Sequence, residues 1–254
     1  MNLNKKVMTL LTLVQNSFLL SPIVEYVMAL FQLLGKSDVG QAAIAEVICS
    51  QENVGSVLKA SEISDELDDD DVVYGLVSVV PLHQDATKAL VKLLKDKCKK
   101  HASGPIHKQI MELLTAEMKG GTVGLLLNER FVNIPHQVAL PSFKSLREDM
   151  KKAGEKFAFA NFLTISKIHK LPNGGKKNKK SGATTTVFVN AEEEHLCEES
   201  QVFFDFPASS DESRIEPGDE GDDQGTLMPF RRVIVFDPKQ LDRFIERLAL
   251  EKTA

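Results

Sequence analysis

Val123-Gly124-Leu125-Leu126-Leu127-Asn128-Glu129-Arg130-Phe131-Val132-Asn133-Ile134-Pro135 passes from an apolar run through a polar step and back to apolar residues. Gly120-Gly121 punctuates the chain just before it, so Thr122–Leu127 reads as a short apolar strand with Leu125–Leu127 in the core. Asn128-Glu129-Arg130 then has two readings. It is a structural turn with Arg130 paired to a nearby carboxylate, or a contact site that uses the planar, multi-donor guanidinium. Glu129, Arg130 and Asn133 are the partner-binding candidates of the second reading. Leu140–Ala153 follows as a helix.

Upstream, Ser21-Pro22 reads as the cap and first residue of a helix that Gly35 stops. Ile23, Val27, Leu30, Phe31 and Leu34 form its apolar face. Ile44, Val47 and Ile48 mark a second helix, and Asn53–Leu58 is extended. Val72–Val80 lacks clean alternation, as expected of a strand covered on both faces. Asp85 is placed to cap a helix with the stripe Ala86, Leu90, Leu93, Leu94 and Cys98, and Pro105 opens another bearing Ile106, Ile110, Leu113 and Leu114. Downstream, Phe157–His169 reads as a long strand, with Thr184–Val189 as its hairpin partner across a glycine- and lysine-rich loop. A short acidic helix at Ala191–Glu199 leads to strands Val202–Phe206 and Arg231–Phe236. The last helix has Asp237 as cap, Pro238 in its first turn, and Leu241, Phe244, Ile245 and Leu248 on its apolar face. Helices precede and follow a cluster of strands, so the fold class is α/β, a central mixed β-sheet with helices on both faces. Residues 1–21 form an atypical N-terminal segment, and residues 22–254 a single domain.

The chain of 254 residues has no Trp, two Tyr and fourteen Phe, so phenylalanine must supply nearly all the aromatic bulk. Its net charge of −5 is mild but segregated. Acids crowd into Glu62–Asp71 and Asp211–Asp223, lysines into Lys88–Lys100 and Lys176–Lys180. Such blocks are solvated faces, or patches that attract charged partners. Cys49, Cys98 and Cys197 are an odd set without CxxC spacing, which fits a reduced compartment. Lys5-Lys6 and Val7–Leu20 resemble a signal peptide, but polar residues interrupt the run and no A-x-A-like cleavage site follows. The run is also too short and polar to span a membrane. Gly35-Lys36-Ser37 lacks the leading glycine of a phosphate loop, no GxGxxG occurs, and the histidines never reach HExxH spacing. No GxSxG frames a serine. No cofactor and no metal are therefore expected, and no enzyme class is indicated. The basic loop has no interleaved aromatic residues for stacking, so direct nucleic-acid binding is not expected.

The stretch Val123–Pro135, continuing into Gln137-Val138-Ala139-Leu140-Pro141, resembles the hallmark of the BCCIP family. Asn53–Lys59 (NVGSVLK), Phe162–Lys167 (FLTISK), Asn190–Glu194 (NAEEE) and Met228–Val233 (MPFRRV) agree in order and spacing. The resemblance implies a non-catalytic nuclear adaptor or chaperone that shuttles to the cytoplasm, linked to nuclear export and to a large-subunit ribosomal protein. DNA repair, cell-cycle control and spindle-pole organisation are linked to animal members. It implies a fold similar to GNAT acetyltransferases without a cofactor site; a degenerate acetyltransferase is the alternative. The pyrophosphate loop [QR]-x-x-G-x-[GA] is absent from the chain. Two departures stand out. His136 occupies the place of a second proline, and the family's acidic tail and first strand are not recognisable in Met1–Ser21. The sheet is therefore expected to lack an edge strand, or the chain to begin at an unusual site.

Two loops complete the expectations. In the basic loop 170–183, Lys176, Lys177, Lys179 and Lys180 are a nuclear-import candidate or a plain hairpin tip. In the acidic loop 208–226, Asp219, Glu220, Asp222 and Asp223 are candidates for binding a basic ribosomal protein, with glycines 218, 221 and 225 giving freedom to wrap it. The expected partners are thus other proteins, nuclear regulatory proteins among them.

Overall fold

Valine-rich and leucine-rich runs with no polar alternation are buried on both faces, and they make the middle of a single sheet here. The computed structural model describes residues 8–12, 41–51, 53–60, 73–115, 123–171, 185–208 and 227–251. Its strands are β1 (Met8–Thr12), β2 (Ser56–Ala60), β3 (Gly75–Pro81), β4 (Val123–Arg130), β5 (Asn161–Lys170), β6 (Thr186–Phe188), β7 (Phe203–Pro207) and β8 (Met228–Phe236). They lie in the order β1-β2-β3-β4-β5-β8-β7, with β6 added to β5. Every pairing is antiparallel except β4 with β5, which is parallel. The mixed α/β sheet is as expected.

Helices α1 (Gln41–Ser50), α2 (Lys88–His101) and α3 (Gly104–Thr115) cover one face. Their core is aliphatic: Ile44, Ile48, Leu90, Leu94, Ile110 and Leu114 meet Leu125, Leu163 and Val233, and only two buried phenylalanines, Phe204 and Phe206, join them. Helices α4 (Ala139–Ala153), α5 (Glu192–Ser200) and α6 (Pro238–Glu251) cover the other. That core holds seven buried phenylalanines, several in edge-to-face contact, such as Phe143 with Phe244 at 4.9 Å. Helix α6 forms as its sequence dictates. Asp237 Oδ1 accepts from Gln240 N at 2.8 Å while Asp237 N donates to Gln240 Oε1 at 2.7 Å, a reciprocal cap. Leu241, Phe244, Ile245 and Leu248 are all buried. All three cysteines are free thiols.

Four expectations are corrected. Met8–Thr12 does form an edge strand, pairing with β2 from Met8↔Ala60 to Thr12↔Ser56. Strand β5 starts at Asn161 rather than Phe157, because Gly154–Phe157 makes a 3-10 turn first. Asp85 is not the cap of α2; it lies inside a 3-10 turn that Gln84 and Thr87 cap, and pairs with Lys88 at 2.6 Å. Asn128-Glu129-Arg130 continues β4 instead of turning. The helix expected after Ser21-Pro22, the acidic runs and the lysine cluster Lys176–Lys180 lie outside the described residues.

Candidate functional site

The parallel pair is short. β4 and β5 are paired only from Val123↔Asn161 to Leu126↔Thr164, after which β5 takes β6 as its neighbour from Ile168↔Phe188. The segment after β6 enters the seam so formed. Val189 N donates to Lys167 O at 3.0 Å, and Asn190 Nδ2 donates to Asn128 O at 3.0 Å. Asn190 precedes α5, whose first turn is Glu192-Glu193-Glu194, acids that suit the positive end of a helix.

Alternation along β4 then sorts the polar residues. Asn128 and Arg130 point toward α5, and Glu129 points to the opposite face. Asn128 Nδ2 donates to Glu192 Oε1 at 3.0 Å and to Glu193 Oε1 at 2.8 Å. Arg130 grips Glu192 with both terminal nitrogens, Nη2 to Oε2 at 2.7 Å. Glu129 pairs with Lys167 of β5. Gly75 lets β3 lie against this pair, since a Cβ there would sit 3.0 Å from Arg130 Cβ.

The cluster is buried, and its charge must balance. Glu129, Glu192 and Glu193 face two cations, Arg130 and Lys167. Burial, then the charge of Glu192, pushes Glu193 up to about 8, against the pull of Ser166, Asn128 and Asn190. A neutral Glu193 leaves two anions with two cations. Glu193 Oε2 and Ser166 Oγ are buried without a hydrogen bond of normal geometry, in keeping with a carboxyl that carries a proton there. Burial would lower the pKa of Arg130, but the hydrogen bond and charge of Glu192 raise it.

Outside this seam the chain turns back toward α4. Ile134 is buried against Leu58 and Tyr74 and anchors the turn. Phe131 N donates to Tyr74 O at 3.0 Å, and the two rings meet edge-to-face at 5.9 Å. Phe131 nevertheless remains 46% exposed and Val132 85% exposed. Asn133, Pro135 and His136 are exposed beside them. The recess beneath, between Leu58, Gly75, Arg130 and Ser142, has room for about one water molecule. The site therefore offers an apolar knob on a rigid base rather than a ligand cavity.

A second cluster lies across β8. Arg232 forks onto Asp205 at 2.7 and 2.8 Å, sits 4.1 Å from the Phe203 ring centre, and donates to Cys197 Sγ at 3.4 Å. Lys170 also reaches Asp205, at 2.6 Å. Burial would raise Asp205, but Arg232 and Lys170 hold it below the ordinary carboxylate value. Among the described residues no group of His, Cys, Asp and Glu could hold a metal ion. None of the described helices is long and apolar enough to cross a membrane.

Of the contact candidates, Glu129 and Arg130 are turned inward and paired, the second as the structural reading had it, and only Asn133 lies on the surface. Asp219, Glu220, Asp222, Asp223, Lys176, Lys177, Lys179 and Lys180 lie outside the described residues. Asn128, Lys167, Asn190, Glu192 and Glu193 were not anticipated. Their signal lay in three of the quoted motifs, LLLNER, FLTISK and NAEEE, which meet in one seam.

This is a mixed α/β domain whose parallel strand pair is locked by its own buried charges beside an exposed apolar turn. The BCCIP family model matches residues 22–196, and the chain belongs to the BCCIP family. It is 30% identical over 233 residues to the "Protein BCCIP homolog" of Danio rerio, covering 85% of this chain and 75% of that one. It is 28% identical over 236 residues to the human "BRCA2 and CDKN1A-interacting protein", covering 85% and 73%. The crystal structure of BCP1 from Saccharomyces cerevisiae shares the fold at a TM-score of 0.62 and 14% identity, covering 96% of this chain and 88% of that one.

Proposed function

We propose that this chain is a non-catalytic nuclear adaptor or chaperone that acts by binding other proteins, with the exposed turn Phe131-Val132-Asn133 as a contact site. The observation that carries this reading is a half-exposed phenylalanine and a nearly fully exposed valine held on a stiff base. Exposed apolar groups on rigid elements are what protein interfaces bury at their centres. The human relative is named for interaction with BRCA2 and CDKN1A, and regulatory proteins of that kind are the partners we assign here. A basic large-subunit ribosomal protein is a further partner, reached by the acidic segment that includes Asp219, Glu220, Asp222 and Asp223. The roles follow: nuclear export, ribosomal-protein handling, DNA repair and cell-cycle control, in a protein that shuttles between nucleus and cytoplasm.

The fold is GNAT-like in this reading, with no acyl-CoA site. A cofactor's phosphates need free backbone N–H groups at a strand-to-helix turn. The turn from β4 to α4 contains no glycine, and two of its donors are spent internally, Ile134 N on Phe131 O and Val138 N on Pro135 O.

Affinity capture from nuclear extract tests the reading. Phe131→Ser with Val132→Ser should lose the captured proteins while the fold, followed by circular dichroism, persists. Unchanged capture would remove the turn from the interface. Calorimetry with acetyl-CoA should show no heat of binding, and micromolar affinity would overturn the non-catalytic reading.

A further inference from the structure

The lysines of α2 pose a separate question. Lys92, Lys99 and Lys100 are exposed, Lys95 is half-exposed, and Lys108 of α3 adds an exposed cation beyond the connecting turn; Asp96 is the one exposed acid between Lys92 and Lys100. Among the described residues none of these five makes an ion pair. The other face of the sheet pairs its arginines, although its exposed lysines Lys144, Lys151, Lys152 and Lys239 make no ion pair either among the described residues. There Arg147 meets Asp242 at 2.6 Å, Arg243 meets Glu199 at 2.8 Å, and Arg247 meets Glu198 at 2.7 Å. The helix dipole favours cations only within the last turn, so it explains Lys99 and Lys100 but not Lys92 and Lys95. His101 reports the same excess: burial, then Lys97 and Lys100, lower its pKa.

We propose that the lysine face of α2, centred on Lys92, Lys95, Lys99 and Lys100, is a docking surface for an acidic, extended segment of a partner protein. Three observations select this occupant. The cations are lysines, compact point charges suited to carboxylates held by charge rather than by bidentate geometry. The exposed residues of the face include no Phe, Tyr or Trp on which bases would stack. The chain carries −5 overall, so a long duplex would also meet its repulsive surfaces, whereas a short segment senses only charges within about 8 Å. This surface is independent of the turn at Phe131, and each can fail without the other.

The test is fluorescence anisotropy on the full chain with a labelled peptide of alternating Asp-Glu pairs and Gly, beside a duplex RNA probe. The quadruple variant Lys92→Gln, Lys95→Gln, Lys99→Gln, Lys100→Gln keeps helix propensity, and circular dichroism checks its fold. It should weaken peptide binding by about tenfold, and raising salt should weaken the parent comparably. A control with Lys144, Lys151, Lys152 and Lys239 changed to Gln should lose less than about twofold. Absence of peptide binding, or an equal loss in the control, overturns the proposal. Tighter binding of RNA, abolished by the quadruple variant, reassigns the face to nucleic acid. Binding that appears only when the acids of Asp211–Asp223 are neutralised makes the chain's own segment the occupant and overturns a partner in trans.

Discussion

Glu193→Gln offers the sharpest test of the buried seam. Glutamine reproduces the neutral carboxyl: its oxygen accepts from Asn128 and Asn190 as Glu193 Oε1 does. Its amide meets the region where Glu193 Oε2 and Ser166 Oγ lack partners. In the folded parent, Glu193 sits at about 8 against an ordinary value of 4.5. The folded state therefore holds its proton over a window in which the unfolded state has released it. The unfolded state binds fewer protons there, so stability is full below the unfolded value, falls as pH rises, and levels off above about 8. At about 1.4 kcal/mol per pH unit the whole window is worth about 5 kcal/mol. The variant has no such proton to lose. Urea unfolding of both proteins across this pH range should give similar stabilities at the acid end, with the variant ahead by several kcal/mol at the alkaline end. Glu192 and Arg130 lie beside Glu193 on the same face, with Glu129 and Lys167 opposite; all four are common to both proteins and cancel in the difference. A difference that stays constant with pH would refute the reasoning, for Glu193 would then be ionised in the fold.

Other outcomes follow from the same geometry. Arg130→Met leaves Glu192 buried without its cation and should cost about 3–5 kcal/mol in urea unfolding, whereas adding Glu192→Gln should restore much of the loss. Asp205→Asn should flatten the acid limb of the stability curve: Asp205 is held low in the fold, so its stabilisation is present above the ordinary carboxylate value and lost as pH falls through the lower, folded one. Deleting Asp211–Asp223 should slow association with a basic ribosomal protein more than it speeds dissociation, with a steep salt response in stopped-flow traces; equal on-rates would make the run a bystander. Changing Lys176, Lys177, Lys179 and Lys180 to Gln should keep a large fluorescent fusion out of the nucleus, and unchanged accumulation would return the loop to a hairpin tip.

What the sequence disclosed depended on how local its physics was. Helix α6 was legible because its cap, first-turn proline and apolar stripe lie within a few residues of one another. The pairing of β5 with β6 was legible because the two runs are close in sequence and separated by a glycine-rich stretch. The end of β4 was not. Polar Asn128, Glu129 and Arg130 look like a turn until Glu192, Glu193 and Lys167 are brought against them by the fold, and that compensation lies some forty to sixty residues away. Strand β1 was missed for a related reason, since an edge strand draws its definition from the register of its neighbour.

The two cores differ in a way that bears on motion. Edge-to-face phenylalanines have few alternative packings, so α4 and α6 are keyed to the sheet in one arrangement. Aliphatic side chains beneath α1, α2 and α3 tolerate small translations, because one branched methyl replaces another at little cost. The sheet thus separates a stiff half from an adaptable half. Amide hydrogen exchange should find its slowest protons in α6 and β8, with α2 and α3 opening first. A partner seated on α2 would meet the side of the molecule that can adjust to it, while the seam and its apolar turn stay fixed.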